Sequence, residues 1–592
     1  MTPARHALGA LLAAVLVLAG CSDAEDRLDA TVRGFADALS RGDAPAAAAL
    51  TTDSAAASDT LGTLFASLGT DVRFDVADRR REEDAAAFTL SATWKFGPGK
   101  TTEWTYTAEG RARADGDDWT VDWNPATVAP GLDAGPLSYT TLAATPAARV
   151  VDRTGADLLT QHIVTLVELS PEVDVNTVAA LLNPAAPTIT PQSLAADLAA
   201  ADGKPVTAVT LREEDIAPIR EQLAVLAGVQ LRPQTRLLAT DRALTSPTLS
   251  GLSELWQQRT DAAAGWAVLA ETPSGPERVG GEDAGPVGDI ASTLDIGMQR
   301  AAEAALAPLA TPAAIVAIQP STGALLTVAQ NSPADAQGPI ALTGLYPPGS
   351  TFKTVTVSAA LQAGQVTPDT IVGCPGTENI EGRQIPNDDN FELGDVPLHT
   401  AFARSCNTTM GRLAVGLPPD GLTEAAAQLG LGIDYVAPGM TTVTGSVPAA
   451  DTPALRVEEG IGQGKVTASP FGMALVAATL ARGSVPAPSL VEGEPGIPDR
   501  TPDPLPSGVD AQVQAMMRET VTGGTATQLQ DIPGMLGKTG TAEYVHGQGG
   551  EVRAHGWFVG IRGDLAVAVF ISDAGSSAPA VDAAGSFLRA VP

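Results

Sequence analysis

The chain opens with an uninterrupted apolar run, Ala7 to Gly20, and then passes through blocks of helical and strand periodicity. Over 25–52, Leu28, Val32, Phe35, Ala36 and Leu39 recur at three- and four-residue spacing, which predicts an amphipathic helix. Residues 88–123 change period. Phe88–Trp94, Thr102–Tyr106 and Trp119–Trp123 alternate apolar and polar positions, with a turn signal at Asp115-Gly116-Asp117. A helix followed by an antiparallel sheet predicts a small α+β domain ending near Pro130. The pattern over 148–290 is looser. Arg149–Gly155 reads as a strand running into a turn, 156–168, 172–182 and 192–202 as helices, and Thr207–Leu211 as a strand. Thr272–Gly288 concentrates Gly, Pro and acidic residues and reads as a linker. The last 300 or so residues alternate strands such as Ala314–Ile318 and Leu565–Ile571 with helices at 299–309, 352–363, 399–416 and 467–482. No internal repeat is visible.

At 592 residues the chain is too long for one core, and an apolar content of 44% is enough to build several. Acidic residues outnumber basic ones 68 to 36, a net charge of −32 that repels a phosphate backbone, so no nucleic-acid partner is expected. The five histidines are scattered without metal-ligand spacing, which argues against a zinc hydrolase; neither a metal nor an organic cofactor is expected.

The apolar run of 14 residues follows Arg5 and falls short of the ~20 residues needed to span a bilayer, but it suits the core of a signal peptide. It ends in Leu18-Ala19-Gly20-Cys21, which resembles a bacterial lipobox. That resemblance implies lipidation of Cys21 and a mature chain anchored to the extracytoplasmic face of the plasma membrane. The plainer alternative is an ordinary cleaved signal. Export exposes the chain to an oxidising compartment, where Cys374 and Cys406, 32 residues apart, are expected to be bridged rather than to stand as two buried thiols.

Three short motifs carry the chemistry. In Tyr346-Pro-Pro-Gly-Ser350-Thr-Phe-Lys353 the prolines and glycine break the chain before an apolar helical run, so Ser350 is expected at a helix N-terminus with Lys353 one turn on. A serine hydroxyl needs a base, and a lysine serves if burial or neighbours lower its pKa. Of the six lysines, Lys353 alone has a serine three residues before it. Taken alone, the motif also fits a helix cap followed by a solvated lysine. Ser405-Cys406-Asn407 offers a hydroxyl to relay a proton and an amide to hold Lys353 and a substrate carbonyl. Gly537-Lys538-Thr539-Gly540-Thr541 offers a cation and hydroxyls to a carboxylate, with Gly540 allowing close approach. A phosphate-binding loop is ruled out there, because Ile532 stands where its first glycine belongs.

In this order, about 55 and 130 residues apart, the three motifs resemble the active-site signature of penicillin-binding proteins. Gly462-Gln463-Gly464 with Thr467–Pro470, His555–Gly560 and Thr293-Leu-Asp295 resemble further segments of their transpeptidase domain. Arg149–Gly155 is similar to the start of the class B dimerisation domain. Phe35–Asp43 and Trp119–Pro125 are similar to the NTF2-like head of MecA-type enzymes. The resemblance implies a multidomain α+β chain: a lipoprotein signal over 1–21, an NTF2-like domain over 22–137, a dimerisation domain and linker over 138–290, and a serine beta-lactamase-like transpeptidase domain, an antiparallel sheet flanked by helices, over 291–592. As a whole the chain resembles the class B penicillin-binding lipoproteins of actinobacteria.

Carried over residue by residue, the resemblance makes Ser350 the nucleophile and Lys353 its base. Ser405 and Lys538 shuttle a proton, Asn407 positions the donor, and Thr539 and Thr541 grip its carboxylate. The implied partners are peptidoglycan stem peptides, beta-lactams, the membrane through its lipid anchor, and a cell-wall synthesis complex. The rival readings are a D,D-carboxypeptidase or beta-lactamase-like hydrolase using the same motifs with water, and a beta-lactam sensor or non-catalytic wall-binding scaffold. Two appended domains are superfluous for a lactamase, and intact motifs argue against a scaffold.

Overall fold

The computed structural model describes residues 25–591 except 117, 146 and 546–549. The segment read as a signal peptide, with Cys21, lies outside the described residues. Among those described, no helix is long and apolar enough to cross a membrane. The chain forms two compact units, one from residues up to 147 together with 259–287, the other from 148–258 and 288 onward.

In the first unit the apolar face read over 25–52 is buried, with Leu28, Val32, Phe35 and Leu39 all at 1% exposure or less. It belongs to two helices rather than one, because the first ends at residue 40 and a turn separates it from Ala44–Ala48. Asp43 caps that second helix by accepting from Ala46 N at 3.0 Å. The helix Ser54–Leu68 follows, and then a four-stranded antiparallel meander of Val72–Glu82, Ala85–Phe96, Thr102–Asp115 and Asp118–Val121. Its inner face meets the helices around Trp94, which is fully buried among Phe65, Phe74 and Phe96. A buried indole N–H needs an acceptor, and Trp94 Nε1 donates to Tyr106 Oη (2.9 Å), which donates on to Val128 O (2.9 Å).

The first part of the stretch read as a linker, as far as Glu282, instead belongs to a hairpin, while 283–288 is irregular as read. Gly265–Thr272 and Gly275–Glu282 pair with each other, and the first also pairs with Leu137–Leu142. Gly280 answers to packing: a Cβ there would stand 2.3 Å from Trp104 Nε1. Composition points to a loop there because it does not reveal which aromatic the backbone lies against.

The second unit begins with Val150–Val151 and the turn read from sequence, where Asp152 Oδ1 accepts from the N–H groups of Thr154 (2.8 Å) and Ala156 (2.9 Å). The segment 156–168, read as a helix, is the strand Asp157–Leu169. Its apolar residues fall in pairs (158/159, 163/164, 166/167) that imitate helical spacing. The β-branched Thr160, Ile163, Val164, Thr165 and Val167, and pairing with Val206–Arg212 and Val229–Ala239, make it a strand. Helices Val175–Leu182 and Pro191–Ala200 form where the periodicity placed them.

The rest of this unit is built on a five-stranded antiparallel sheet in the order Leu325–Gln330, Ala313–Ile318, Ala566–Ile571, Val552–Ile561, Leu536–Val545. Helices Ile296–Leu306 and Ala578–Ala590 pack on it around Phe558, Phe587 and Leu588. Pro470–Arg482 packs against its three middle strands and is buried on every side from Pro470 to Leu480. The segment read as one helix over 399–416 breaks into Leu398–Ala403 and Asn407–Val415, and the residues between them belong to the second motif.

Candidate active site

Ser350 lies in a 3₁₀ turn, Gly349–Phe352, that runs directly into the helix Lys353–Gln362. The turn is pressed against the edge strand Leu536–Val545. A Cβ on Gly540 would stand 2.9 Å from Pro348 O and 3.0 Å from Thr351 N, and one on Gly349 would meet Thr541 O at 2.4 Å. The two glycines therefore bring the first and third motifs to backbone contact distance. Gly349 N donates to Gly462 O (3.0 Å), and Trp557 Nε1 donates to Pro347 O (2.9 Å), holding the turn from two further directions. Gln463 lies against the same strand, its amide donating to Glu543 O (3.2 Å) and accepting from Glu543 N (3.0 Å) in the orientation that satisfies both.

The second motif enters through strain. Ser405, in the break between the two helices, has φ of +64°, in the left-handed region that a side chain other than glycine's rarely occupies. This conformation aims both its carbonyl and its hydroxyl at Lys353, whose Nζ donates to Ser405 O (2.8 Å), Ser405 Oγ (3.2 Å) and Asn407 Oδ1 (2.5 Å). Lys538 Nζ donates to the same Ser405 Oγ (3.0 Å) and to Thr539 O (2.8 Å). Two amines thus share one hydroxyl.

Both lysines are fully buried. Burial holds the Lys353 ammonium well below the ordinary lysine range, and the charge of Lys538 presses it lower, while Asp388 pulls the other way. Burial alone takes Lys538 down to about 7. At neutral pH one amine of the pair can be free while the other carries the proton, with Ser405 Oγ as the bridge between them. No hydrogen bond joins Ser350 Oγ to Lys353 among the described residues, and Lys353 Nζ rests on the second motif.

All eight motif residues, Ser350, Lys353, Ser405, Asn407, Lys538, Thr539, Gly540 and Thr541, are therefore brought together where a turn, a helix break and a sheet edge meet. Cys374 and Cys406 form a disulfide that ties the strand Ile371–Cys374 to the residue between Ser405 and Asn407. Two participants have no mark in the sequence. Thr525 Oγ1 lies 2.6 Å from Thr539 Oγ1, and Asn387 reaches the backbone of Asn407 from 20 residues upstream. Neither sits in a spacing that singles it out. Glu459, also fully buried, follows a different pattern: neither carboxyl oxygen accepts a hydrogen bond from the described residues, and burial pushes its pKa up to about 7.

Residues 313–591 match the family model of the penicillin binding protein transpeptidase domain, and 28–136 match that of an NTF2-like N-terminal transpeptidase domain. Peptidoglycan D,D-transpeptidase PbpA of Mycobacterium tuberculosis is 30% identical over 42% of this chain and 58% of its own length. The protein of the same name from Mycolicibacterium smegmatis is 30% identical over 44% and 62%. The chain thus spans about three fifths of the length of these curated relatives. A solved structure titled "Structural coordination of polymerization and crosslinking by a peptidoglycan synthase complex" superposes with a TM-score of 0.55 and 24% identity, covering 77% of this chain and 91% of that one, a likeness of fold. The chain combines an NTF2-like N-terminal domain with a penicillin-binding-protein transpeptidase domain.

Proposed function

We propose that this protein is a peptidoglycan D,D-transpeptidase of class B type, cross-linking stem peptides through an acyl-enzyme on Ser350. The observation that carries the reading is the meeting of two buried lysines of lowered pKa on the single hydroxyl of Ser405. Free Lys353 takes the proton of Ser350 Oγ as that oxygen bonds to the carbonyl carbon of the penultimate D-Ala. Backbone N–H groups of Ser350 and Thr541 hold the oxyanion. The peptide bond to the last D-Ala breaks, and its nitrogen takes a proton delivered through Ser405 Oγ from Lys538. Asn407 holds the donor peptide, while Thr539 and Thr541 hold its carboxylate. The proton on Lys353 then passes through Ser405 Oγ to Lys538, which frees Lys353 again. An acceptor amine attacks the ester carbon and gives a proton to Lys353, which passes it to Ser350 Oγ as that oxygen leaves, and the cross-linking amide is formed. A beta-lactam takes the donor's place and stays on Ser350.

Cys21 anchors the mature chain by a lipid to the outer face of the plasma membrane. Residues 148–258 serve as the dimerisation-type pedestal, within the span 138–290 read for it, and the chain works beside a cell-wall synthesis complex. The test is intact-protein mass spectrometry of residues 22–592 with a penicillin, beside Ser350→Ala. A lasting adduct of the drug's full mass, absent in the variant, is expected. An adduct that vanishes within about a minute while drug is consumed makes the protein a hydrolase; no adduct at any concentration overturns the reading of Ser350 as the residue that penicillin acylates and leaves a resistant enzyme or a binding protein.

A further inference from the structure

The helix Asn407–Val415 starts abruptly inside the active site, and Cys406 at its cap position supplies no side-chain acceptor. The leading N–H groups of a helix have no partner within it, and a buried helix start needs one supplied from elsewhere. Asn387 supplies it. This residue is 2% exposed, and every polar atom of its side chain is used. Oδ1 accepts from Asn407 N (2.8 Å) and Thr408 N (3.3 Å), while Nδ2 donates to Pro375 O (2.9 Å) and Phe391 O (2.8 Å) and lies 3.4 Å from Cys374 Sγ.

The preceding residue completes the hold. Asn407 Nδ2 donates to Pro386 O at 2.9 Å. A carbonyl accepts only from the nitrogen end of an amide, so this bond fixes which way the Asn407 amide faces. Its oxygen is left turned toward Lys353 Nζ, 2.5 Å away. Asp388, next in sequence, is the acidic group that opposes the downward pull on Lys353. Three consecutive residues from a separate segment thus bracket the second motif from its far side.

We infer that Asn387 is a positioning residue for acylation: it acts through Asn407 by seating the start of that helix, so that the Asn407 amide meets the Lys353 amine. This rests on the reading of Ser350 as the acylated residue.

The test measures the acylation rate constant of the full chain with a penicillin against pH, together with the melting temperature, for wild type, Asn387→Ala, Asn407→Ala, the double variant and Asn387→Asp. Asn387→Ala is expected to slow acylation by about 30-fold or more, and the double variant to be within about twofold of Asn407→Ala, because one residue works through the other. Both single alanine variants shift the acid limb of the rate profile to lower pH, since the ammonium form of Lys353 loses an acceptor. Asn387→Asp keeps the acceptor for the helix and loses both donors. It should melt lower yet acylate within about fivefold of wild type, a split that a purely structural role does not produce.

Wild-type rates in Asn387→Ala, losses that multiply in the double variant, or an Asn387→Asp rate that falls in step with stability each overturn the inference. If Asn387→Ala fails to fold, Asn387→Asp decides through that same split. Absence of an adduct on wild type overturns the reading of Ser350 itself, and is told apart because it shows before any variant is made.

Discussion

Two buried ionisable sites in the second unit start from the same physics and end differently. Lys353 with Lys538, and Glu459, are all fully buried, and burial is the largest cause of the shift in each. The lysines, however, make five hydrogen bonds to acceptors that different segments deliver, four of them to the second motif. The Glu459 carboxyl accepts no hydrogen bond from the described residues, and only the charge of Lys465 works against its upward shift. A perturbed pKa alone therefore does not mark a working site. What marks one is perturbation together with convergent groups between which a proton has somewhere to go.

The comparison is broken most directly at its functional end. Lys353→Met removes the proposed base while keeping the stem volume, and is expected to slow acylation by about 10²- to 10⁴-fold and to lower the melting temperature, since Ser405 O and Asn407 Oδ1 lose a donor, read by stopped-flow acylation and a thermal melt. A large fall in melting temperature with acylation intact reverses the assignment. Lys538 sharpens it next. Its protonated form is lost as pH rises through about 7, so the wild-type acylation rate should decline on the alkaline side of that value. Lys538→Arg, which keeps its charge throughout, should flatten that limb while lowering the plateau about tenfold, because the guanidinium does not fit a point-charge site.

The disulfide tests how far the motif depends on its tether. Cys374→Ser with Cys406→Ser removes a link closing a loop of about 30 residues, worth ~3–4 kcal/mol on the loop-entropy model. The expected loss is a lower melting temperature for the transpeptidase domain, seen by calorimetry, together with slower acylation because Cys406 sits between Ser405 and Asn407. The smallest effect belongs to Glu459. A carboxyl whose folded pKa is raised binds more protons folded than unfolded. Its contribution is therefore fully present below the unfolded value near 4.5 and is lost as pH climbs through about 7. Glu459→Gln should melt a few degrees above wild type at pH 8 and no higher at pH 4. Equal melting at both values would mean that the carboxyl is satisfied by solvent.

Much of the candidate active site was legible because its motifs are compact in sequence. Ser350 and Lys353 are one turn apart, and Lys538 to Thr541 are consecutive. The apolar face of Leu28, Val32, Phe35 and Leu39 was legible for a similar reason, since helical burial repeats within a few residues. The misreadings share one cause. Strand Asp157–Leu169 and hairpin Gly265–Glu282 exist through partners far away in the chain, and local spacing reports neither pairing nor an aromatic waiting to cover a glycine.

The sequence by itself determined the reactive residue types, their order and the local periodicity, because these depend on neighbours within one or two turns. Only the tertiary structure decided that Ser405 would break a helix with positive φ, that Asn387 would cap that break from 20 residues away, and that two lysines 185 positions apart would be buried against one hydroxyl. Those facts arise from packing between segments. Packing sets both which donors and acceptors meet and how much water is left to hold a charge, and hence the pKa values on which the chemistry depends.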